Sequence, residues 1–300
     1  VRTRTTTTGT NATTTRIEVP DVLLAKERAL QSILADLDTV IVAFSGGADS
    51  AYLAHTAHQV LNLRQQRTGS RALAVTADSA SYPDVHRRLA IKVAAEFEIP
   101  HEIIRTGELR RPEYRANPAN RCYFCKDELY TRLVALAHSR GYAAVVDGNN
   151  ADDRGDYRPG RAAAREHGVR SPLDEAELSK DEIRVLSRHA GLPTWDVPAS
   201  ACLSSRIPYG SEVTEEKLRQ IEAAEEVVRA LGFRVFRVRH HESLARLEIA
   251  RDEMARALEP AIAARLTDGL KALGFHHVTI DLQGYRLGSL NEALRLRPVP

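Results

Sequence analysis

The stretch that most restricts the fold is Thr39-Val40-Ile41-Val42-Ala43-Phe44, running straight into Ser45-Gly46-Gly47-Ala48-Asp49-Ser50. The apolar run predicts a buried strand, and a helical pattern begins at Ala51. Between them, two glycines permit a tight turn that presents backbone N–H groups, and the helix N-terminus adds positive partial charge. Strand, glycine turn and helix in that order predict a phosphate cradle. The Gly-x-x-x-x-Gly-Lys-Ser pattern of a Walker loop is absent, which sets aside the usual kinase or GTPase cradle.

Short apolar strands go on alternating with helices. Residues 73–76, His101–Arg105 and residues 143–147 read as strands, and Asp21–Leu37 and residues 83–97, 126–140 and 179–190 read as helices. This order predicts an α/β fold, a parallel sheet covered by helices on both faces. Ligands of such sheets sit at the carboxyl ends of strands, where Ser45 and Asp147 both fall. Beyond the loop at 191–198 the pattern changes to a helix (214–231), strands at 233–238 and Leu244–Ile249, a helical stretch to 273 and a strand at 277–282. Strands adjacent in pairs predict a smaller C-terminal α+β domain. The expected division is a disordered Thr-rich tail (1–18), a phosphate-loop domain (19–198) and the α+β domain (199–300).

With 42 Lys and Arg against 40 Asp and Glu, the net charge of +2 is too mild to argue for a nucleic-acid partner. No apolar run approaches the roughly 20 residues of a membrane helix, and no signal peptide is visible, so no membrane partner is expected. The cations are mostly Arg, which suits forked contacts to phosphate or carboxylate, although genomic base composition explains the bias equally well. Three cysteines are an odd number and too few for a disulfide framework, so a reducing cytoplasm is expected.

Cys122 and Cys125 form a Cys-Tyr-Phe-Cys pair just before the predicted helix, and Cys202 lies in the run Pro198 to Arg206. Such a pair can hold a metal, form a redox disulfide or do neither. A structural zinc wants four ligands, and no histidine stands at a supporting spacing. Three thiolates suit a [4Fe–4S] cluster with one iron open to an outside ligand such as sulfide. Three unrelated small residues are the plain alternative.

The loop Ser-Gly-Gly-x-Asp-Ser resembles that of the PP-loop ATP pyrophosphatases. Five further motifs sharpen the likeness: Asn120-Arg121-Cys122-Tyr123-Phe124-Cys125-Lys126, Asp147-Gly148-Asn149-Asn150-Ala151-Asp152-Asp153, Tyr157-Arg158-Pro159-Gly160, Ser171-Pro172-Leu173, and Pro198-Ala199-Ser200-Ala201-Cys202-Leu203-Ser204-Ser205-Arg206-Ile207-Pro208-Tyr209-Gly210. Together, from about Asp21 onward, they resemble the LarE family. That resemblance implies an ATP-dependent sulfurtransferase of nickel-pincer nucleotide cofactor biosynthesis. ATP would adenylylate a carboxylate of pyridinium-3,5-biscarboxylic acid mononucleotide, and sulfur would displace AMP to give a thiocarboxylate. Some members surrender the sulfur of the loop cysteine; others hold a [4Fe–4S] cluster on three cysteines. With Cys122, Cys125 and Cys202 all present, the cluster type is expected, and the sacrificial route is the runner-up. The family also implies a homo-oligomer, with a hexamer as the candidate assembly.

Roles follow from the likeness. Ser45, Gly46, Gly47, Asp49 and Ser50 would hold pyrophosphate, with Asp49 orienting the loop or facing Mg²⁺. Ala77, Asp78, Ser79 and Asp147 would line the nucleotide. Asp152 and Asp153 are candidate Mg²⁺ ligands, since hard oxygen donors suit that ion, although an Asx-rich turn explains either one alone. Arg206, Arg237 and Arg239 could fork onto substrate phosphate or carboxylate, with Arg206 beside the three catalytic cysteines. Their plain alternative is a solvated strand face, and His240-His241 read as surface polar residues. The three sulfur atoms are expected within roughly 6–7 Å of each other. Two other enzyme classes compete, a tRNA thiolase and an amidating ligase like the NAD or asparagine synthetases, and a nucleotide-binding module without activity is a third possibility.

Overall fold

The computed structural model describes residues 19–155, 159–198, 201–286 and 288–295, with the backbone alone over 62–68 and 293–295. The Thr-rich segment, Tyr157 and Arg158 of the Tyr-Arg-Pro-Gly motif, and Ala199-Ser200 at the expected domain boundary lie outside the described residues.

The first unit carries α1 (Asp21–Leu37), β1 (Thr39–Ala43), α2 (Ala48–Thr68), β2 (Arg71–Asp78), α3 (Asp84–Glu96), β3 (His101–Arg105), α4 (Pro112–Arg115), α5 (Arg121–Arg140), β4 (Ala144–Val146), α6 (Gly160–Glu166), α7 (Pro172–Glu175) and α8 (Lys180–His189). Its sheet is parallel throughout, in the order β3-β2-β1-β4. Because side chains alternate across a strand, Val40 and Val42 of β1 face a core built with Leu30, Leu34 and Leu53, while Ile41 faces Tyr130, Leu133 and Val145. Burial on both faces explains the continuous apolar run that the sequence shows.

The second unit contains α9 (Glu215–Ala230), β5 (Phe236–His241), β6 (Leu244–Ile249), α10 (Met254–Ala257), α11 (Pro260–Ala272), β7 (His277–Ile280) and α12 (Ser289–Arg295). Its three strands form a separate mixed sheet, β5 antiparallel and β7 parallel to β6. Phe236 and Val238 face the core with Leu266 and Phe275, which turns Arg237, Arg239 and His241 to the opposite face.

Several element bounds differ from the sequence reading, such as β2, which runs Arg71–Asp78 rather than 73–76, and three differences bear on the candidate site and its surroundings. Helix α5 begins at Arg121, so Cys122 and Cys125 lie inside its first turns rather than before it. Strand β5 starts three residues later than expected, because Phe233 is a core anchor ahead of the strand. His240 is buried, its Nε2 2.9 Å from Gln220 Oε1, and is not a surface residue.

Candidate active site

The phosphate loop leaves β1 and enters α2 with its geometry fixed from within. Gly46 has φ +65°, and a Cβ there would lie 3.0 Å from the backbone nitrogen of Ala90 in α3, so only glycine fits. Ser50 Oγ donates to Gly47 O at 3.2 Å and accepts the Ser45 N–H at 3.1 Å, with Ser45 Oγ also 3.1 Å away. From the next strand end, Gly148 packs so closely that a Cβ would sit 3.0 Å from Ser50 N. Asp49 Oδ2 accepts from Lys180 Nζ at 3.0 Å, and its Oδ1 is buried with no hydrogen-bond partner.

Ala77, Asp78 and Ser79 lie at the carboxyl end of β2, beside the loop, where Phe44 N donates to Val75 O at 2.9 Å. Tyr82, just beyond them, donates its hydroxyl to Ser45 O at 3.0 Å. Asp147 is buried and internally engaged: it accepts from Tyr130 at 2.7 Å, Ser171 Oγ at 2.7 Å and Asn149 Nδ2 at 2.6 Å. It braces the turn after β4. Asp152 Oδ2 accepts from the Lys180 backbone at 2.9 Å, and Asp153 Oδ2 from that of Asn150 at 3.1 Å. Among the described residues, no group of three or more His, Cys, Asp or Glu side chains is gathered as a metal ion needs, the cysteines included.

The cysteines nevertheless share one neighbourhood. Cys122 is open to solvent, and Cys125 and Cys202 are half-buried. Burial pushes the Cys125 thiol far up, and Glu108, Cys202 and Cys122 add to the effect. Protein crowding, then Cys202, likewise raises Cys122, opposed by Arg121 and Lys126. Both thiols are therefore protonated at neutral pH unless a cation or metal displaces the proton.

A clamp joins the two cysteine segments. Buried Arg121 donates through Nη1 to Asn117 Oδ1 and, at 3.0 Å, to Ser204 O. Asn117, at φ +54°, donates through Nδ2 to Pro208 O at 2.7 Å and Ser211 O at 2.9 Å. Tyr114 and Ser204 hydroxyls meet at 2.6 Å. The cysteine loop also reaches the phosphate-loop side, because Leu203 N donates to Ser81 O at 2.9 Å, one residue before Tyr82.

The three arginines are brought together in differing ways. Arg206 is buried, and its donors go to Glu225, Ala201 O, Cys202 O and Ser205 Oγ, so it fixes the cysteine loop from inside. Arg237 stacks on Tyr285, its ring centre 5.1 Å away; burial and then Arg206 lower its guanidinium to about 10. Arg239 donates to Ser205 O at 2.6 Å and Glu248 at 2.7 Å. Arg206 and Arg239 line a cavity of about 320 Å³ with His241, Arg246 and Arg286. Around it the guanidinium atoms Arg239 Nε, Arg246 Nε and Arg286 Nη1 are buried N–H donors without hydrogen-bond partners, a set suited to an anion, in a wall that also holds the carboxylates of Asp281 and Glu292.

No protein-family model matches the chain. It is 43% identical to the uncharacterized protein slr1717 of Synechocystis sp., over 91% of this chain and 99% of that one. It is 36% identical, over 91% of this chain and 96% of the other, to the pyridinium-3,5-bisthiocarboxylic acid mononucleotide synthase of Lactiplantibacillus plantarum. The chain belongs to the LarE family. Among solved structures, the NH3-dependent NAD synthetase of Campylobacter jejuni is similar at 15% identity and a TM-score of 0.46, covering 85% of this chain and 96% of that one.

Within this LarE-family chain, the residues that sequence reasoning passed over are Lys180, Asn117, Tyr82, Glu225 and Glu248. Lys180, Asn117 and Tyr82 act across long sequence separations, as Lys180 does on Asp49, whereas Glu225 reaches Arg206 from 19 residues away and Glu248 reaches Arg239 from nine, across the β5–β6 pair. Only Asn117 left a local trace, an Asn-Pro step whose left-handed backbone asparagine tolerates well.

Proposed function

We propose that the chain is an ATP-dependent sulfurtransferase that adenylylates a carboxylate of pyridinium-3,5-biscarboxylic acid mononucleotide and converts it to a thiocarboxylate, releasing AMP and pyrophosphate. A carboxylate is a poor electrophile, and adenylylation gives it a leaving group that a sulfur nucleophile can displace. Membership of the LarE family supports the substrate class. The observation that carries the reading in this chain is one short segment, Ser81-Tyr82, bonded on one side to the phosphate loop at Ser45 and on the other to the cysteine loop at Leu203. ATP chemistry and thiols are thereby neighbours.

In this reading Ser45, Gly46, Gly47 and Ser50 cradle the pyrophosphate through amides and hydroxyls, and Ala77, Asp78 and Ser79 border the adenosine. Mg²⁺ arrives with ATP, whose phosphates supply much of its coordination, so one or two carboxylates such as Asp152 and Asp153 suffice from the protein. The arginine-lined cavity takes the substrate's phosphate or a carboxylate. The donor types at Cys122, Cys125 and Cys202 fit a [4Fe–4S] cluster, although among the described residues they do not form a group gathered as a metal needs. When bound, that cluster supplies an exchangeable sulfide; Cys202 giving up its own sulfur is the competing source. The reading places the enzyme in a reducing cytoplasm as a homo-oligomer, with the residue 198–199 junction dividing its two units.

The test is anaerobic incubation of the purified chain with the mononucleotide, Mg-ATP and sulfide, followed by chromatography of the nucleotides and mass spectrometry of the product. AMP, pyrophosphate and a product with sulfur in place of oxygen are expected. ADP as the main nucleotide, or a product carrying nitrogen, would contradict the proposal; the latter would favour an amidating ligase.

A further inference from the structure

The Ser-Gly-Gly-Ala-Asp-Ser loop contains no cation, and its charged residue, Asp49, has the same sign as the phosphates assigned to it. The fold delivers the missing charge from 131 residues away, where Lys180 Nζ donates to Asp49 Oδ2 at 3.0 Å. The pair is neither sealed nor loose: the Asp49 side chain is 20% exposed and that of Lys180 34%. Lys180 is the first residue of α8, and several contacts fix that helix start. Ser179 and Glu182 form a reciprocal capping box. Lys180 N donates to Asp152 Oδ2 at 2.9 Å, and Ala151 N to Leu178 O at 2.9 Å. Lys26 reaches across from α1 to Glu182 and the Glu177 carbonyl, each at 2.8 Å. A flexible side chain on so fixed a base delivers its ammonium to a defined place.

We infer that Lys180 is the cation of the pyrophosphate site, held beside the phosphate loop by Asp49. The inference rests on the ATP-cleaving reading above. In adenylylation a substrate carboxylate oxygen forms a bond to the α-phosphorus. The bond from that phosphorus to the α,β-bridging oxygen breaks, and its electron pair leaves on pyrophosphate. Negative charge therefore builds on the leaving group, and an ammonium beside it stabilises the transition state more than bound ATP. An ammonium has three N–H donors, and Asp49 occupies one, which leaves two for phosphate oxygens. The pairing also neutralises Asp49, removing the repulsion that a bare carboxylate would exert on phosphate. The lysine that a Walker loop carries in its own sequence is here supplied by a neighbouring helix.

Titration calorimetry with inorganic pyrophosphate, and separately with AMP, decides the matter on the native chain, Lys180→Met and Lys180→Arg, in magnesium buffer without substrate or sulfur. Lys180→Met is expected to lose about tenfold or more in pyrophosphate affinity while AMP affinity stays within about twofold, and Lys180→Arg to recover part of the loss. Unchanged pyrophosphate binding by Lys180→Met would overturn the inference. Equal weakening of both ligands with a lowered Tm would also overturn it, by assigning Lys180 to loop architecture. Neither ligand involves sulfur transfer. A chain with the expected binding pattern that makes no thiocarboxylate would therefore refute the sulfurtransferase reading and support Lys180 alone.

Discussion

Arg206 forks onto Glu225, Nε to Oε1 at 2.8 Å and Nη2 to Oε2 at 3.0 Å, with both side chains nearly sealed from solvent. The same guanidinium donates through Nη1 to the carbonyls of Ala201 and Cys202, so an ion pair rooted in α9 sets the position of the cysteine loop. Removing one partner strands the other charge. Glu225→Ala should cost about 3–5 kcal/mol, read as a lowered denaturant midpoint, and Glu225→Gln should cost less because it keeps an acceptor. Burial alone would raise the Glu225 carboxyl, but Arg206, Arg237 and the Val238 N–H together hold the group below its ordinary 4.5. That contribution is present in full above pH 4.5 and is lost as pH falls through the lower folded value.

Glycine substitutions separate the phosphate loop from generic backbone strain. Gly148→Ala places a methyl group 3.0 Å from Ser50 N, and Gly46→Ala does the same toward Ala90 at a left-handed φ. Both should reduce AMP formation about tenfold or more, because the loop must shift to admit the methyl group. Gly141→Ala is the control: it shares the left-handed backbone but has open space around it. It should lower stability by roughly 1 kcal/mol and leave AMP formation unchanged.

Where the chain's chemistry is local, the sequence spoke clearly. The apolar run of β1 and the paired glycines announce a strand and a phosphate turn, and β3 and β6 match their expected bounds residue for residue. What stayed hidden is tertiary. Asp147 stands at a strand end as expected, but its hydrogen bonds to Tyr130 and Ser171 could not be read from the sequence. Arg206 looks like a free fork beside a cysteine, yet Glu225 claims it from 19 residues away. Helix α5 starts at Arg121, five residues ahead of the expected 126, and the Arg121 N–H donates to Pro118 O at 2.9 Å, a contact that no local pattern displays.

His86 of α3 gives a pH signature. Burial, then Arg206, Arg237 and Arg229, lower its imidazole from 6.5 to about 4, against a weaker opposing pull from Glu225. Between those values the unfolded chain binds the extra proton, so stability rises with pH across this window and falls on acidification. The loss from this one residue reaches about 3 kcal/mol by pH 4. His86→Gln should flatten the dependence of the denaturant midpoint on pH between 6.5 and 4. Part of the slope should remain, since His55, His58, His101, His240 and His241 are lowered in the same direction.

In the proposed reaction one site performs two chemistries, adenylylation at the Ser45–Ser50 loop and sulfur delivery at the cysteines. The most direct measurement follows AMP and thiocarboxylate in the same reaction with Cys202→Ala. This variant is expected still to release AMP and pyrophosphate in the presence of the mononucleotide, because the phosphate loop and Lys180 are intact, while no thiocarboxylate forms. Thiocarboxylate produced at the native rate by Cys202→Ala would contradict it.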